Sequence, residues 1–415
     1  MTRILITVII GLLTFGNSNA QYRQNKRHHE LKKGKNISLN IKDKKENPQT
    51  TYFNLGLLSN FSQLNGVGIN LISSINHYYS NGLQLSGFAN ITGLNANGVQ
   101  ITSIANVIGK EANGLTVGGV MNIGGKSLSG MQIAGLGNIT VEHLNGFSVA
   151  GLMNLSNKNS AGLHIAGLAN ISGENTAGVD IAGLMNASGG NANGLQLASL
   201  LNLSGNANKG AQIAVLGNIS VKNRGLQTSI INYAEDNEGL QLGLSNVASN
   251  TRRGLQIGVF NMSNDSCAHQ IGLLNINPNT RAQMIVSGGN TDKLKIGVRF
   301  KNKYTYNQFG IGGYYLGMDN DMSLSLSYRT GLYYNLSPKW SVSGDMSLYH
   351  IEALGCKNDG FPKRMFAVQP SATIEYSILK RCSIFASGGY AWTYSYKHRQ
   401  KIDNKPYFEI GVALF

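Results

Sequence analysis

Residues 162–172 read Gly-Leu-His-Ile-Ala-Gly-Leu-Ala-Asn-Ile-Ser, and this stretch recurs with small variations through the middle of the chain. Its first glycine recurs every sixteen residues, and each such glycine is followed eight residues later by an asparagine. The glycines are Gly82, Gly98, Gly114, Gly130, Gly146, Gly162, Gly178, Gly194 and Gly210, and the asparagines are Asn90, Asn106, Asn122, Asn138, Asn154, Asn170, Asn186, Asn202 and Asn218. So strict a spacing is typical of a repeat protein, in which each unit packs only on its neighbours.

The repeat continues on both sides of this strict run. Degenerate copies precede it at Asn60 and Asn76, and shorter copies of fourteen or fifteen residues follow, with Asn232, Asn246, Asn261 and Asn275. We therefore expect about fifteen units across residues 50–290.

The composition predicts an all-β protein. Of 415 residues, 52 are Gly, 6 are Pro, 13% are charged and 42% are apolar. Gly has no three-residue period, which argues against collagen, and the apolar content argues against disorder. Gly, Asn, Ser, Thr, Val and Ile are plentiful, whereas the residues that sustain helices are sparse.

Two architectures fit a β unit of this length. In a β-solenoid each unit is one coil, whereas in a single large transmembrane barrel each unit is one strand and a turn. The solenoid is favoured because the repeat has a single period and few aromatic residues, while membrane barrels alternate short and long connections and carry aromatic girdles. The copy at Gly254 to Asn261 is also one residue shorter. Loss of one residue would exchange the two faces of a straight strand, whereas a coil corner near the Ala-Gly step can absorb it.

A solenoid predicts which side chains lie inside. We expect apolar ladders in the interior and the repeat asparagines at a corner, bound to backbone. Glutamines at the third place of the unit are expected to form an exposed, solvated ladder, in which His164 and Asp180 mark a tolerant site. These glutamines are Gln84, Gln100, Gln132, Gln196, Gln212, Gln227, Gln241 and Gln256.

The N-terminal segment indicates export. Residues 1–20 combine Arg3, the apolar run Ile4 to Phe15 and small residues before Ala20, as in a cleaved secretory signal peptide. Residues 21–49 form a basic linker, densest from Lys26 to Lys45, whose His28 and His29 are expected to be solvated. The residue after the expected cut is Gln21 rather than Cys, which does not support a lipid anchor.

Residues 291–415 predict an antiparallel β-barrel or β-sheet domain of outer-membrane type. Apolar and polar residues alternate, aromatic residues cluster, and short turns alternate with longer loops. The predicted strands are Lys295 to Lys301, Gln308 to Met318, Met322 to Leu336, Trp340 to Leu354, Met365 to Ile378, Cys382 to Tyr396 and Tyr407 to Phe415. A soluble β-sandwich is the alternative. The terminal Phe415 resembles an outer-membrane barrel signal, although the stronger apolar set of the last strand, Leu414, Val412, Ile410 and Phe408, lies on its other face.

The later repeats, Gly239 to Asn246 and Gly254 to Asn261, resemble those of a bacterial surface-repeat family. In that family longer Gly-x-Gln-x-Ala-Gly-Leu-x-Asn arrays pass into shorter units and then an aromatic β tail, an order that this chain matches over most of its mature length. The resemblance implies an outer-membrane or surface protein of a Gram-negative bacterium. It assigns no activity, so no catalytic or ligand residues follow from it.

We expect a non-enzymatic cell-envelope protein without cofactor or metal, whose array is a scaffold or contact surface. The net charge of +15 lies mostly outside residues 65–290, so no nucleic-acid partner is expected; outer-membrane lipid is the expected partner, with a surface glycan or protein as further candidates. A transport pore is the alternative.

A polysaccharide-active enzyme would need two facing carboxylates, for which Glu142 and Glu174, about 10 Å apart in a stack, are weak candidates. Cys356 and Cys382 are candidates for one disulfide, and Cys267 is left over.

Overall fold

The computed structural model describes residues 37–38, 50–251, 253–302, 304–315, 323–354, 362–397 and 401–415. Apart from strand β1 (Ile37–Ser38), the predicted signal peptide and basic linker lie outside the described residues. All regular structure within these ranges is β-strand. A search of the same ranges finds no helix with the length and apolar character needed to cross a membrane.

The repeats form a parallel β-solenoid of about 14 turns, which confirms the predicted fold class over the single large barrel. Each regular coil has one long strand, which contains the repeat glycine, and one short strand, which contains the repeat asparagine. Equivalent residues of successive coils pair directly, as Gly146 with Gly162 and Asn154 with Asn170. Backbone hydrogen bonds therefore connect each coil to the next.

The strands of the array have these bounds: β2 (Thr50–Phe61), β3 (Gln63–Asn76), β4 (Tyr79–Ser86), β5 (Ala89–Thr92), β6 (Asn95–Thr102), β7 (Ala105–Ile108), β8 (Glu111–Gly118), β9 (Met121–Gly124), β10 (Ser127–Ala134), β11 (Gly137–Thr140), β12 (His143–Ala150), β13 (Met153–Ser156), β14 (Asn159–Ala166), β15 (Ala169–Ser172), β16 (Thr176–Ala182), β17 (Met185–Ser188), β18 (Ala192–Ala198), β19 (Leu201–Asn208), β20 (Ala211–Ala214), β21 (Gly217–Asn223), β22 (Leu226–Asn237), β23 (Leu240–Asn250), β24 (Leu255–Ser263) and β25 (His269–Ile276).

The repeat glycines have a conformational reason to be glycine. From Gly82 to Gly194 their φ angles lie between 101° and 126°, a region that other residues rarely adopt. A Cβ at any of these positions would lie 2.0–2.4 Å from the carbonyl oxygen of the glycine one coil earlier. Gly210 lacks the positive φ, but its Cβ would still lie 1.8 Å from that oxygen.

The shorter units lose their residues at two places, a register shift within a strand and a bend. The offset between paired residues falls from sixteen to fifteen between Ser204 and Ala207. It falls to fourteen between Ile213, which pairs with Thr228, and Gly217, which pairs with Ile231. The second loss lies in the Ala-Val-Leu segment that corresponds to the Ala-Gly-Leu corner of other units, so the predicted location is confirmed.

The expectation of apolar ladders inside the array is wrong for most positions. The buried side chains are largely Asn, Gln, Ser, Thr and Ala. Buried large apolar side chains are few: Ile108, Leu128 and Leu144 cluster with Ala96 and Ala112, and Phe61 and Leu64 are buried near the start of the array. The interior of the solenoid is therefore predominantly polar.

The C-terminal region closes into an eight-stranded antiparallel barrel. Its strands are β26 (Arg281–Gly289), β27 (Asp292–Lys301), β28 (Thr305–Tyr314), β29 (Ser323–Asn335), β30 (Trp340–Ala353), β31 (Arg364–Leu379), β32 (Cys382–Ser395) and β33 (Lys401–Leu414). Strand β33 closes the barrel on β26. The seven predicted strands all overlap barrel strands, and the eighth, β26, precedes the boundary expected at residue 291.

The chain divides into two compact units. The first comprises residues 1–249 and 253–255, and the second comprises residues 250–252 and 256–415. The last strand of the array, β25, therefore belongs to the same unit as the barrel.

Substituting Gly146 by Ala should destabilise the array by more than about 1 kcal/mol, because Ala is strained at positive φ and its Cβ would meet the oxygen of Gly130. Gly137→Ala is the matched control, since its Cβ would have its nearest contact at 3.1 Å and equivalent places hold Ala105 and Ala169. Urea unfolding monitored by circular dichroism measures both changes. Equal effects at the two glycines would contradict this account.

Candidate functional site

The repeat asparagines form a continuous buried ladder. Each side-chain amide from Asn90 to Asn232 donates to the amide oxygen of the next asparagine at 2.8–3.0 Å. Most also donate to a backbone carbonyl of the next coil, as Asn154 does to Ile165 at 3.0 Å. The prediction that these asparagines bind backbone is confirmed, and their role here is structural.

The glutamine ladder lies inside the array, so the prediction that it is exposed is wrong. Gln84, Gln132 and Gln212 are fully buried. Gln212 donates to Gln196 at 2.9 Å, and Gln227 donates to Gln212 at 3.1 Å. The strand alternation that turns Gln inward turns its Leu and Ile neighbours outward, and the sequence period is the same for either choice.

His164 and Asp180 replace glutamine within this buried ladder. His164 Nδ1 lies 2.7 Å from Asp180 Oδ1, and both side chains are buried. They are therefore a specific internal pair and not a tolerant exposed site, which corrects the sequence interpretation.

Glu142 and Glu174, the two candidate carboxylates of the array, lie at its turns. Glu142 lies 3.4 Å from Lys158 and 3.9 Å from His143, and Glu174 accepts a hydrogen bond from Asn159 at 3.2 Å. Both carboxylates therefore contact neighbouring side chains on the outer surface. Nearby, a 2.8 Å hydrogen bond from Lys126 lowers the pKa of Glu111 below its usual value.

The barrel encloses a charged network. Lys295 lies 2.7 Å from Glu409, which also pairs with Arg329, and all three side chains are buried. Tyr349 accepts from Lys295 at 2.9 Å and donates to Asp292 at 2.8 Å. Charges buried this deeply are stabilised by pairing, so the network holds opposite walls of the barrel together.

A second buried pair lies towards the end of the barrel that carries the turns at residues 302–304, 336–339 and 380–381. Arg299 lies 3.0 Å from Glu375, which also accepts from Lys301 at 3.2 Å and from Ser383 at 2.6 Å. A cavity of about 590 Å³ opens beside this pair and is lined in part by Arg281, Lys301 and Glu375. The lumen beyond is filled by side chains, as expected for eight strands.

The outer surface of the barrel is apolar. Leu294, Ile296 and Val298 of β27 are exposed while Lys295 and Arg299 between and beside them are buried. The last strand has the same arrangement: Phe408 and Ile410 are exposed, whereas Tyr407, Glu409, Gly411 and Ala413 are buried. The apolar set noted in the sequence therefore forms the outer face of β33.

The lumen network is the feature that sequence reasoning missed. Its signal was present, because single charged residues such as Arg329 and Glu409 stand at alternating positions among apolar ones. Partner choice across the barrel depends on strand register and closure, which alternation alone does not specify.

The described residues contain no group of three or more His, Cys, Asp or Glu arranged to hold a metal ion. Cys267 is exposed, and Cys382 forms no disulfide with another described residue. Its candidate partner Cys356 lies outside the described residues.

No family model and no curated protein matches this chain. Among solved structures, it is similar to one from the de novo design of transmembrane beta-barrels, with 15% sequence identity, a TM-score of 0.22 and coverage of 33% of this chain and 95% of that one. It is also similar to the crystal structure of Neisserial surface protein A (NspA), with 12% identity, a TM-score of 0.23 and coverage of 32% and 92%. At these scores the likenesses establish neither identity nor function.

The buried pair in the array should behave as a coupled unit. Replacing His164 by Leu leaves Asp180 without its partner and should cost about 1–3 kcal/mol. Replacing both residues by Leu removes both polar groups, so the double variant should lose less than the sum of the single variants. A double-mutant cycle by urea unfolding measures this coupling, and strict additivity would contradict it.

The stability of the barrel should depend on Glu409. Glu409→Ala leaves Arg329 and Lys295 without this buried partner and should lower barrel stability by about 3–5 kcal/mol. Glu352→Ala is the control, because its pair with Arg364 at 3.3 Å is largely exposed and should contribute less than about 1 kcal/mol. The readout is the urea midpoint of heat-modifiable gel mobility; similar midpoints for both variants would count against the network.

Proposed function

We propose that this chain is a non-enzymatic protein of the bacterial cell envelope, in which the barrel spans the outer membrane and anchors the repeat array as a scaffold or contact surface. The observation that carries the proposal is the polarity of the barrel: buried charges inside and exposed aliphatic and aromatic side chains outside. Water would favour the opposite distribution, whereas a membrane barrel has an apolar outer band and a polar interior.

The connections of the barrel support the same proposal. Residues 302–304, 336–339 and 380–381 connect strands at one end, while the short connection 290–291 and the longer segments 315–322, 354–363 and 396–400 connect them at the other. Outer-membrane barrels have short periplasmic turns and longer external loops. This connectivity supports a periplasmic side for the short-turn end of the barrel, where β26 begins.

Aromatic pairs are also suited to membrane interfaces. Trp340 and Tyr376 lie at the short-turn end with ring centroids 4.7 Å apart. Phe366 and Tyr394 lie towards the other end with centroids 5.3 Å apart. Side chains that are apolar with a polar tip favour the headgroup region, so these pairs support girdles at both ends.

The filled lumen argues against a transport pore as the main function. Arg329, Glu409 and Lys295 lie across the interior with ion pairs already formed. An eight-stranded barrel has room for side chains and little else, so conduction would require this network to open. A lumen occupied by ion pairs suits an anchor better than a pore, which is why we prefer that role.

The membrane proposal predicts that the full-length protein stays with outer membranes of the native cells after carbonate and high-salt washes, with heat-modifiable mobility. Leu348→Arg, near the middle of β30 on the exposed face, should destabilise the inserted barrel by about 2–4 kcal/mol. Asn335→Arg beside a short turn is the control and should have little effect, because this position is exposed and a charge there can remain hydrated. Release of the unaltered protein by the washes would overturn the proposal.

A further inference from the structure

The array has two adjacent apolar faces that meet at an exposed edge. Six places after the repeat glycine stands a large apolar residue at the bend between the long and short strands. We call these residues the vertex ladder; its exposed members are Phe88, Ile104, Leu136, Leu152, Leu168, Leu184, Leu200 and Leu216. They are 39–54% exposed, although solvent would favour polar side chains at so regular a surface position.

Apolar side chains continue on both sides of the vertex ladder. In the coil that begins at Gly162, Leu163 and Ile165 are partly exposed before the bend and Ile171 is partly exposed after it, while Ala169 on the same side of the strand is only 8% exposed. Other coils place Leu, Ile, Val, Met, Phe or Ala at most of these four positions. Stacking makes the residues of each position into a continuous stripe, so the apolar surface extends along the array.

The remaining face is polar. One place before the repeat glycine stand Asn97, Asn113, Asn145 and Asn193, and the adjoining turn carries Lys110, Lys126, Glu142, Lys158 and Glu174. Asn113 donates to Asn97 at 3.1 Å on this exposed face. The cross-section is therefore a wedge, apolar at its vertex and charged on the opposite side.

The convex apolar edge of this wedge fits lipid better than a second folded copy of the chain. A second folded copy that covers one flat face leaves the other apolar face beyond the vertex in water. Lipid acyl chains adapt to a convex edge and cover both faces at once. Amphipathic elements with one charged side lie in the membrane interface with their apolar side about 5–10 Å into the boundary of headgroups and acyl chains.

We propose that the array lies in a lipid leaflet as an interfacial wedge. The vertex ladder points towards the acyl chains, and the polar face that carries Asn97, Asn113, Asn145 and Asn193 points towards water. This inference deepens the proposed function and rests on it for the presence of a membrane. The array then binds lipid along its length, in addition to the anchorage that the barrel provides.

Tryptophan quenching in vesicles tests the wedge with the full-length protein. Vesicles of phosphatidylcholine brominated near the headgroup end of the acyl chains are compared with unbrominated ones. The unaltered protein reports on the barrel, because its two tryptophans, Trp340 and Trp392, lie there. Phe replaces both in a second background, which carries Leu168→Trp at the vertex or Ala177→Trp, an exposed site one place before a repeat glycine. Phe88→Trp provides an independent and conservative vertex probe.

The expected result is that the vertex probes lose most of their fluorescence in brominated vesicles while Ala177→Trp retains it. If the unaltered protein is quenched but both vertex probes are not, the barrel is inserted and the wedge is wrong. If the vertex and Ala177 probes are quenched equally, the proposed orientation is wrong. If the unaltered protein is not quenched either, the membrane proposal fails with the wedge.

Discussion

The array depends on the hydrogen bonds that its buried asparagines make from coil to coil. A buried amide without partners costs more than its hydrogen bond contributes, so the ladder is stable because both neighbouring coils supply partners. Asn154, for example, accepts from Asn138, donates to Asn170 and binds the backbone of Ile165. The strict spacing follows, because a shift of one residue within a strand would break three contacts at once.

This polar interior determines the outer surface. In a strand, successive side chains point to opposite sides, so inward Gln and Asn force the Leu and Ile between them outward. The losses of single residues near Ser204 and near Ala214 are tolerated because the first is absorbed by a register shift within paired strands and the second at a bend, so the buried amide ladders stay aligned on either side. The same constraint that aligns the ladders thus creates the apolar faces and the vertex between them.

Much of the architecture could be predicted from the sequence. The sixteen-residue period indicated stacked coils, and the change to two-residue alternation after residue 291 indicated antiparallel strands. The side of each strand that faces inward could not be obtained in this way, because a period does not distinguish inside from outside. Gln84 was expected in solvent on the general preference of amides for the surface, yet three-dimensional stacking gives it partners in the interior. Likewise, pairing of Lys295 with Glu409 required barrel closure.

The solenoid and the barrel both bury polar side chains, and they pair these side chains in different directions. The solenoid satisfies its inward polar groups along the stack, through neutral amides that repeat every coil, whereas the barrel satisfies them across the lumen, through ion pairs such as Arg299 with Glu375. Neutral amides suit a ladder because each is both donor and acceptor, while stacked like charges would repel. Within the buried ladder, His164 and Asp180 follow the same rule, because they place unlike groups on successive coils. In both halves the inward polar side chains bond mainly to one another, which leaves the exterior free to be apolar, as the lipid-facing side of a membrane protein must be.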